Sequence, residues 1–310
     1  MGGAILFVGP SRVGDGVLVT GLVDQLVRAG ARLTLACGPA AMPLFDRAPG
    51  IDRRIVVTKS RAGLHWLGLW AATVGRRWQA VIDLRGSVLG YLLCAGERRV
   101  YRPVTGSEHR LDTLARAAGL SPVSPCLWLN EADRDTARAL VGEGRYLVLG
   151  PTANWPGKIW PADRFVDLAR ALVAPGGMLP GARVVVLGGA DESAMAAPVL
   201  AGLADAVDLV GRTSLGVVGA VLAGAALFVG NDSGQMHMAA AAGAPTVGLF
   251  GPSRAEHYAP RGPRALAVRT PEPYEALFLP GYDRHTTGSL MTSLQVEPVL
   301  EACRRVLKAA

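Results

Sequence analysis

Apolar runs of three to six residues recur along the chain and alternate with stretches whose apolar positions follow the 3.6-residue period of a helix. In the first part, residues 4–8, 32–37, 55–57 and 80–84 read as strands, and 17–28, 64–77 and 110–118 as helices between them. Runs this short and this uniformly apolar suit strands buried on both faces, as in a parallel sheet covered by helices on either side. Two prolines and several small residues at 119–125 interrupt the alternation, and a helix with a polar start follows at 131–141. The pattern then begins again, with strands at 146–149, 183–187, 226–230 and 246–250 and helices at 161–172, 192–203, 215–223 and 296–307. The expected architecture is α/β, with two facing Rossmann-like domains at 1–140 and 141–310. The last helix is expected to pack back toward the first domain, and ligands to bind beyond the carboxyl ends of the strands.

Composition narrows the functional classes. A chain of 310 residues exceeds what one ordinary core needs, and 50% hydrophobic content is globular. The opening segment has no basic region ahead of its apolar run and reads as a first strand. The longest apolar stretch, 215–229, divides into a helix and a strand, so a cytoplasmic protein is expected. Cys37, Cys94, Cys126 and Cys303 are widely spaced, match no metal pattern and are read as reduced, mostly buried thiols. Asp133 and Asp135 lie in a polar helix start, where the helix dipole explains them better than a metal does. The formal charge of +7 attracts anions, but there is no long Lys/Arg tract and no nucleic-acid module. A phosphorylated sugar or lipid is therefore expected ahead of nucleic acid.

Two strand-end loops carry the candidate chemistry. Gly9-Pro-Ser-Arg-Val-Gly-Asp-Gly follows the first strand and leads into a helix; it lacks the Lys-Ser/Thr of a phosphate-binding P-loop and the spacing of a dinucleotide fingerprint. Asp15 at its tip is either a general base for a sugar hydroxyl or a helix cap. In the second half, Asn231-Asp-Ser-Gly-Gln-Met-His follows an apolar strand and opens a small-residue helix. Its N–H groups from Ser233 through Gly234 and Gln235 suit a diphosphate, with His237 on the same face and Asp232 capping the helix or accepting a hydroxyl. Thr152 and Lys158 come from the loop after strand 146–149, Lys158 as a mobile point charge for phosphate and Trp160 as a packing anchor. Pro252 and Ser253 suggest a second wall, with Arg254 and His257 as polar contacts or surface residues. Lys59, Arg61 and Arg85 are candidate partners for an anionic acceptor, and Arg98, Arg99 and Arg102 form a further basic group. Trp66 and Trp70, one helical turn apart and followed by Arg76 and Arg77, read as a helix packed on the first sheet or one lying against a membrane surface.

Taken in order, Gly14-Asp15, Lys158-Ile-Trp160-Pro161, Asp232-Ser-Gly-Gln-Met-His237-Met-Ala-Ala-Ala and Phe250-Gly-Pro-Ser-Arg-Ala-Glu-His-Tyr-Ala-Pro resemble the bacterial ADP-heptose:lipopolysaccharide heptosyltransferases. The resemblance spans nearly the whole chain and implies the GT-B glycosyltransferase arrangement. It also implies inverting transfer of a heptose from ADP-heptose to the Kdo or heptose of the lipopolysaccharide inner core, without metal or cofactor, by an enzyme working at the cytoplasmic face of the inner membrane. It further implies that Asp15 is the catalytic base, that Lys158 binds phosphate, that Asp232 to His237 form the diphosphate site, and that Asp191 lies near the nucleoside or donor sugar. Gln235 departs from the family, which carries proline or a hydrophobic residue there. The competing readings are a transferase with another nucleotide sugar or acceptor, a nucleotide-sugar epimerase, and a nucleotide-binding protein without chemistry.

Overall fold

The computed structural model describes residues 3–103, 106–278, 280–284 and 286–309. The chain forms two compact units, residues 1–128 and 129–310.

The first unit begins β1 (Ala4–Val8), α1 (Val13–Leu18), α2 (Thr20–Arg28), β2 (Arg32–Cys37) and β3 (Ile51–Val56). It continues with α3 (Leu64–Thr73), β4 (Trp78–Asp83), β5 (Ala95–Val100) and α4 (Arg110–Ala118). Its five strands are all parallel, in the order β3-β2-β1-β4-β5. The chain winds outward from β1 to β3, then crosses to the other side of β1 for β4, so the loops after β1 and β4 diverge at a switch point. Val8 and Asp83 are paired in register there, which brings the Asp15 loop and the Asp83–Ser87 loop out side by side.

The second unit contains α5 (Glu131–Val141), β6 (Tyr146–Gly150), α6 (Ala162–Val173), β7 (Arg183–Val186), α7 (Ser193–Gly202) and β8 (Val207–Asp208). After these come α8 (Leu215–Ala223), β9 (Leu227–Asn231), α9 (Gly234–Ala241), β10 (Thr246–Phe250), α10 (Ala255–Tyr258), β11 (Ala265–Arg269) and α11 (Val296–Lys308). The six strands are again parallel, in the order β11-β10-β9-β6-β7-β8, and here the switch point lies between β6 and β9. Both units are thus parallel-sheet α/β domains.

One expectation about the organisation needs correction. The helix expected to end the first domain, α5, packs on α8 in the second unit, so the chain divides at 128/129 and not at 140/141. The stripe Val299, Ala302, Cys303 and Val306 of the last helix is buried in the second unit's core against α6, β10 and β11. That core also takes Trp160, whose fully buried ring packs edge-on against Phe165 at 5.0 Å, as a packing anchor should. Among the described residues no helix is long and apolar enough to cross a membrane.

All four cysteines are free, and they differ sharply in environment. Burial pushes the Cys37 and Cys303 thiols up to about 12 and Cys126 up to about 11, the nearby Arg85 only partly offsetting this at Cys37. Cys94 is exposed, against the expectation that the thiols are mostly buried. Because the thiolate is the nucleophile, alkylation of the folded protein at pH 8 should label Cys94 first and leave the other three protonated and slow. Peptide mass mapping after a short iodoacetamide pulse checks this.

Candidate anion site at the carboxyl edge of the second sheet

The loops after β6 and β9 meet because their strands are neighbours whose following helices diverge. Gly150 and Gly230 are paired across these strands. A Cβ on Gly230 would stand 2.8 Å from the Gly150 carbonyl oxygen and 2.7 Å from the Phe228 ring, so side chains are excluded on packing grounds. A Cβ on Gly150 would lie 2.8 Å from the same ring and 3.1 Å from Gln235 Oε1. The two glycines let the start of α9 settle close to the strand ends.

Ser233 is the N-cap of α9, in extended backbone, yet its side chain makes no capping hydrogen bond. Its hydroxyl has no partner among the described residues, and the same holds for Asn231 Nδ2, Gln235 Oε1, Ser253 Oγ and Thr270 Oγ1. Buried polar atoms are ordinarily paired, because an unpaired one costs roughly 1–3 kcal/mol. Here the unpaired atoms gather just beyond the ends of β9, β10 and β11, beside a helix start whose first N–H groups have no intrahelical acceptors. Apart from Gln235 Oε1, which is an acceptor, these atoms are O–H and N–H donors, and with the helix N–H groups they suit the oxygens of an anion.

The positive charge comes from Lys158, whose Nζ lies 2.5 Å from Asp232 Oδ2. Lys158 retains 17% exposure and Asp232 only 6%, so the pair sits at the rim of the buried cluster. The Lys158 loop is fixed on two sides. Asn231 Oδ1 accepts from the Trp160 N–H at 3.1 Å; Ser289 donates to the Ile159 carbonyl at 2.5 Å, and Trp160 Nε1 to the Leu294 carbonyl at 2.8 Å. Asp232 is therefore not the helix cap but the counter-ion that holds Lys158 in place. Gly234 is the first residue of α9, and His237 is buried on the same helix with polar interactions of its own.

Two expected ligands are placed differently. Thr152 is fully buried and its hydroxyl donates to Glu192 Oε2 at 2.6 Å. The same carboxylate oxygen accepts from the Gly189 N–H at 2.7 Å. Glu192, not Asp191, is thus the acidic residue turned in toward the strand ends, and Asp191 stands exposed. The sequence contained the signal, since Asp191 and Glu192 are adjacent, but neighbouring residues in a short helical turn point in different directions. Arg254 is a surface residue, paired with Glu256 and Glu275 and stacked 4.2 Å over Tyr274.

In the first unit, Asp15 lies in the first turn of α1, half-buried, and its carboxylate has no partner among the described residues. The N-cap is Arg12, so Asp15 does not cap the helix. A Cβ on Gly16 would stand 2.9 Å from the Ala41 Cβ, so Gly16 keeps α1 close to the turn at Met42–Phe45. Asp83 builds the neighbouring loop, accepting from the Arg85 and Ser87 N–H groups at 2.9 Å each and from the Ser87 hydroxyl. This turns Arg85 onto the Trp66 ring at 4.7 Å, with one buried guanidinium nitrogen, Nη1, unpartnered. Lys59 and Arg61 stand exposed between β3 and α3. Of the other basic group, Arg98 and Arg99 are held by backbone carbonyls, and Arg102 is exposed.

The profile of glycosyltransferase family 9 (heptosyltransferase) matches residues 108–278, more than half of the chain. Lipooligosaccharide heptosyltransferase 2 of Haemophilus influenzae is 27% identical, over 86% of this chain and 88% of its own length. A glycosyltransferase of family 9 from Veillonella parvula superposes with a TM-score of 0.80 at 23% identity, over 99% and 98% of the two chains. ADP-heptose lipopolysaccharide heptosyltransferase II of Escherichia coli superposes with a TM-score of 0.74 at 21% identity, over 98% of each.

Proposed function

Because the chain belongs to glycosyltransferase family 9, we propose that it transfers a heptose from ADP-heptose to the inner core of lipopolysaccharide, with inversion at the anomeric carbon. The observation that carries this reading is the start of α9, where an uncommitted Ser233 hydroxyl and free helix N–H groups lie beside Lys158. The diphosphate of the donor fits this set of donors and charge.

In the proposed step the acceptor hydroxyl loses its proton to the Asp15 carboxylate as its oxygen bonds to the anomeric carbon. The bond from that carbon to the diphosphate oxygen breaks, and its electron pair leaves with ADP. The negative charge developing on the leaving diphosphate is met by Lys158, by the Ser233 hydroxyl and by the first N–H groups of α9. Donors already in place stabilise such charge without reorganising during the reaction. Glu192, held by Thr152 and Gly189, would accept a hydroxyl of the nucleoside ribose or donor sugar. Arg85, with Lys59 and Arg61, would meet the anionic groups of the acceptor.

The test is mass-spectrometric detection of product from ADP-heptose with Kdo-lipid A and with heptosyl-Kdo-lipid A. Addition of one heptose is expected. A folded protein that transfers to neither acceptor but binds a different nucleotide sugar would overturn the assignment of donor and acceptor.

A further inference from the structure

Seven of the eight large hydrophobic side chains that stand exposed among the described residues lie between Val56 and Leu92. They centre on α3 and on the short helical turn Leu89–Leu92 beside it, where the Trp70 indole donates to the Leu92 carbonyl at 3.3 Å. The inward face of α3 is ordinary core. Leu69 and Thr73 are buried, and Trp66 and Trp70 pack on the cluster of Leu6, Val8, Trp78 and Val81. The outward face carries Leu64, Leu67, Gly68 and Ala71, and Leu64 and Leu67 are 62% and 60% exposed. On and just before the neighbouring turn, Val88, Tyr91 and Leu92 are 70%, 56% and 60% exposed. Apart from His65, α3 has no ionisable side chain on any face. A helix apolar all round is normally buried all round, and this one is covered on one side only.

Charge indicates what would cover the other side. Ten basic and three acidic residues fall between positions 51 and 102, so this segment carries the chain's entire formal excess of +7 and the remainder is balanced. Lys59 and Arg61 stand exposed ahead of the first turn of α3, and Arg77 stands exposed just past its last. Apolar residues flanked at both ends by cations match the layering of an anionic bilayer, in which acyl chains lie beneath negative headgroups.

We propose that the outer face of α3 and the Leu89–Leu92 turn form a docking surface for an anionic phospholipid bilayer, with Leu64, Leu67, Tyr91 and Leu92 entering the interface and Lys59, Arg61 and Arg77 meeting the headgroups. Trp66 and Trp70 face the core, in line with the reading of this helix as packed on the first sheet, and the proposed membrane contact falls to the leucines on the opposite side. The surface holds the protein at the membrane whichever sugar it transfers.

The test is cosedimentation of the full chain with vesicles of one third phosphatidylglycerol and two thirds phosphatidylcholine, and with phosphatidylcholine alone. Neither contains glycolipid, so the result is separate from substrate recognition. Binding is expected to the anionic vesicles and to weaken with salt. Each basic residue near such a surface contributes about fivefold in partitioning, so Arg77→Gln should lower binding by about that factor. The combined change Leu64→Ser, Leu67→Ser and Leu92→Ser should lower it at least about tenfold. These side chains are exposed, and unchanged circular dichroism and thermal unfolding would show that the variants remain folded. Three results would overturn the proposal: wild type left in the supernatant with anionic vesicles, binding that survives the serine changes, or a concentration-dependent dimer in lipid-free solution that those changes abolish.

Discussion

Asp15→Asn is expected to lower kcat for sugar transfer about a thousandfold while leaving the affinity for ADP unchanged. Asn keeps the size of the side chain and one acceptor oxygen but cannot take a proton, and a positioned base typically contributes about 10²–10⁴ in rate. ADP binding should be spared because the proposed diphosphate site is built from β9, α9 and Lys158 in the second unit. Stability should change little, since the carboxylate makes no hydrogen bond among the described residues and supports only the short α1 through the helix dipole. That dipole term is worth about 0.3–1 kcal/mol at an exposed site. Steady-state transfer rates together with calorimetric titration of ADP separate the two effects. A variant that keeps kcat within about threefold of wild type would show that Asp15 is not the base.

The sequence revealed the strands at the centre of each sheet, caught only the end of the edge strand β3, and missed β5, β8 and β11, for reasons visible in the residues. β1, β6, β9 and β10 are buried throughout, so each appears as an uninterrupted apolar run. β5 is an edge strand containing Glu97, Arg98 and Arg99, and β11 is an edge strand ending in Arg269. Charged side chains on an edge protect it from pairing with other chains and also erase the apolar signature that marks a strand. β8 has only two residues and no periodicity to detect.

The site was legible in parts and not in its connections. Lys158 and the Asp232–His237 segment stood out because each follows a strand end and opens a helix. That Lys158 pairs with Asp232 was not legible, because the two are 74 positions apart and meet only through the placement of β9 beside β6. The role of Glu192 was hidden for a similar reason, since its partner Thr152 is 40 positions away on the loop after β6. Arg98 and Arg99 show the converse case. The run of cations fitted an anion site and ordinary solvent-facing charge equally well, and their guanidinium groups are occupied by the carbonyls of Gly90, Leu93 and Ala118.

Lys158→Ala should be the most damaging change in the second unit. In the wild type, Lys158 offsets Asp232 and stands ready for the diphosphate. Without it, a carboxylate only 6% exposed remains beside the site and repels the donor. Losing one stabilising group for developing charge typically costs about 10²–10³ in kcat, and donor affinity should fall as well. Removing one partner of a fully buried pair costs about 3–5 kcal/mol of stability. The cost here should be smaller, because Lys158 is 17% exposed and water screens part of the interaction. The double variant Lys158→Ala with Asp232→Asn separates these contributions. Removing the stranded charge should recover most of the lost stability and part of the ADP affinity, but not kcat, because no cation remains to meet the leaving diphosphate. Thermal unfolding, ADP titration and transfer rates on the two single variants and the double variant form a complete cycle. If Lys158→Ala alone keeps wild-type ADP affinity and kcat, the anion site is not where the diphosphate binds.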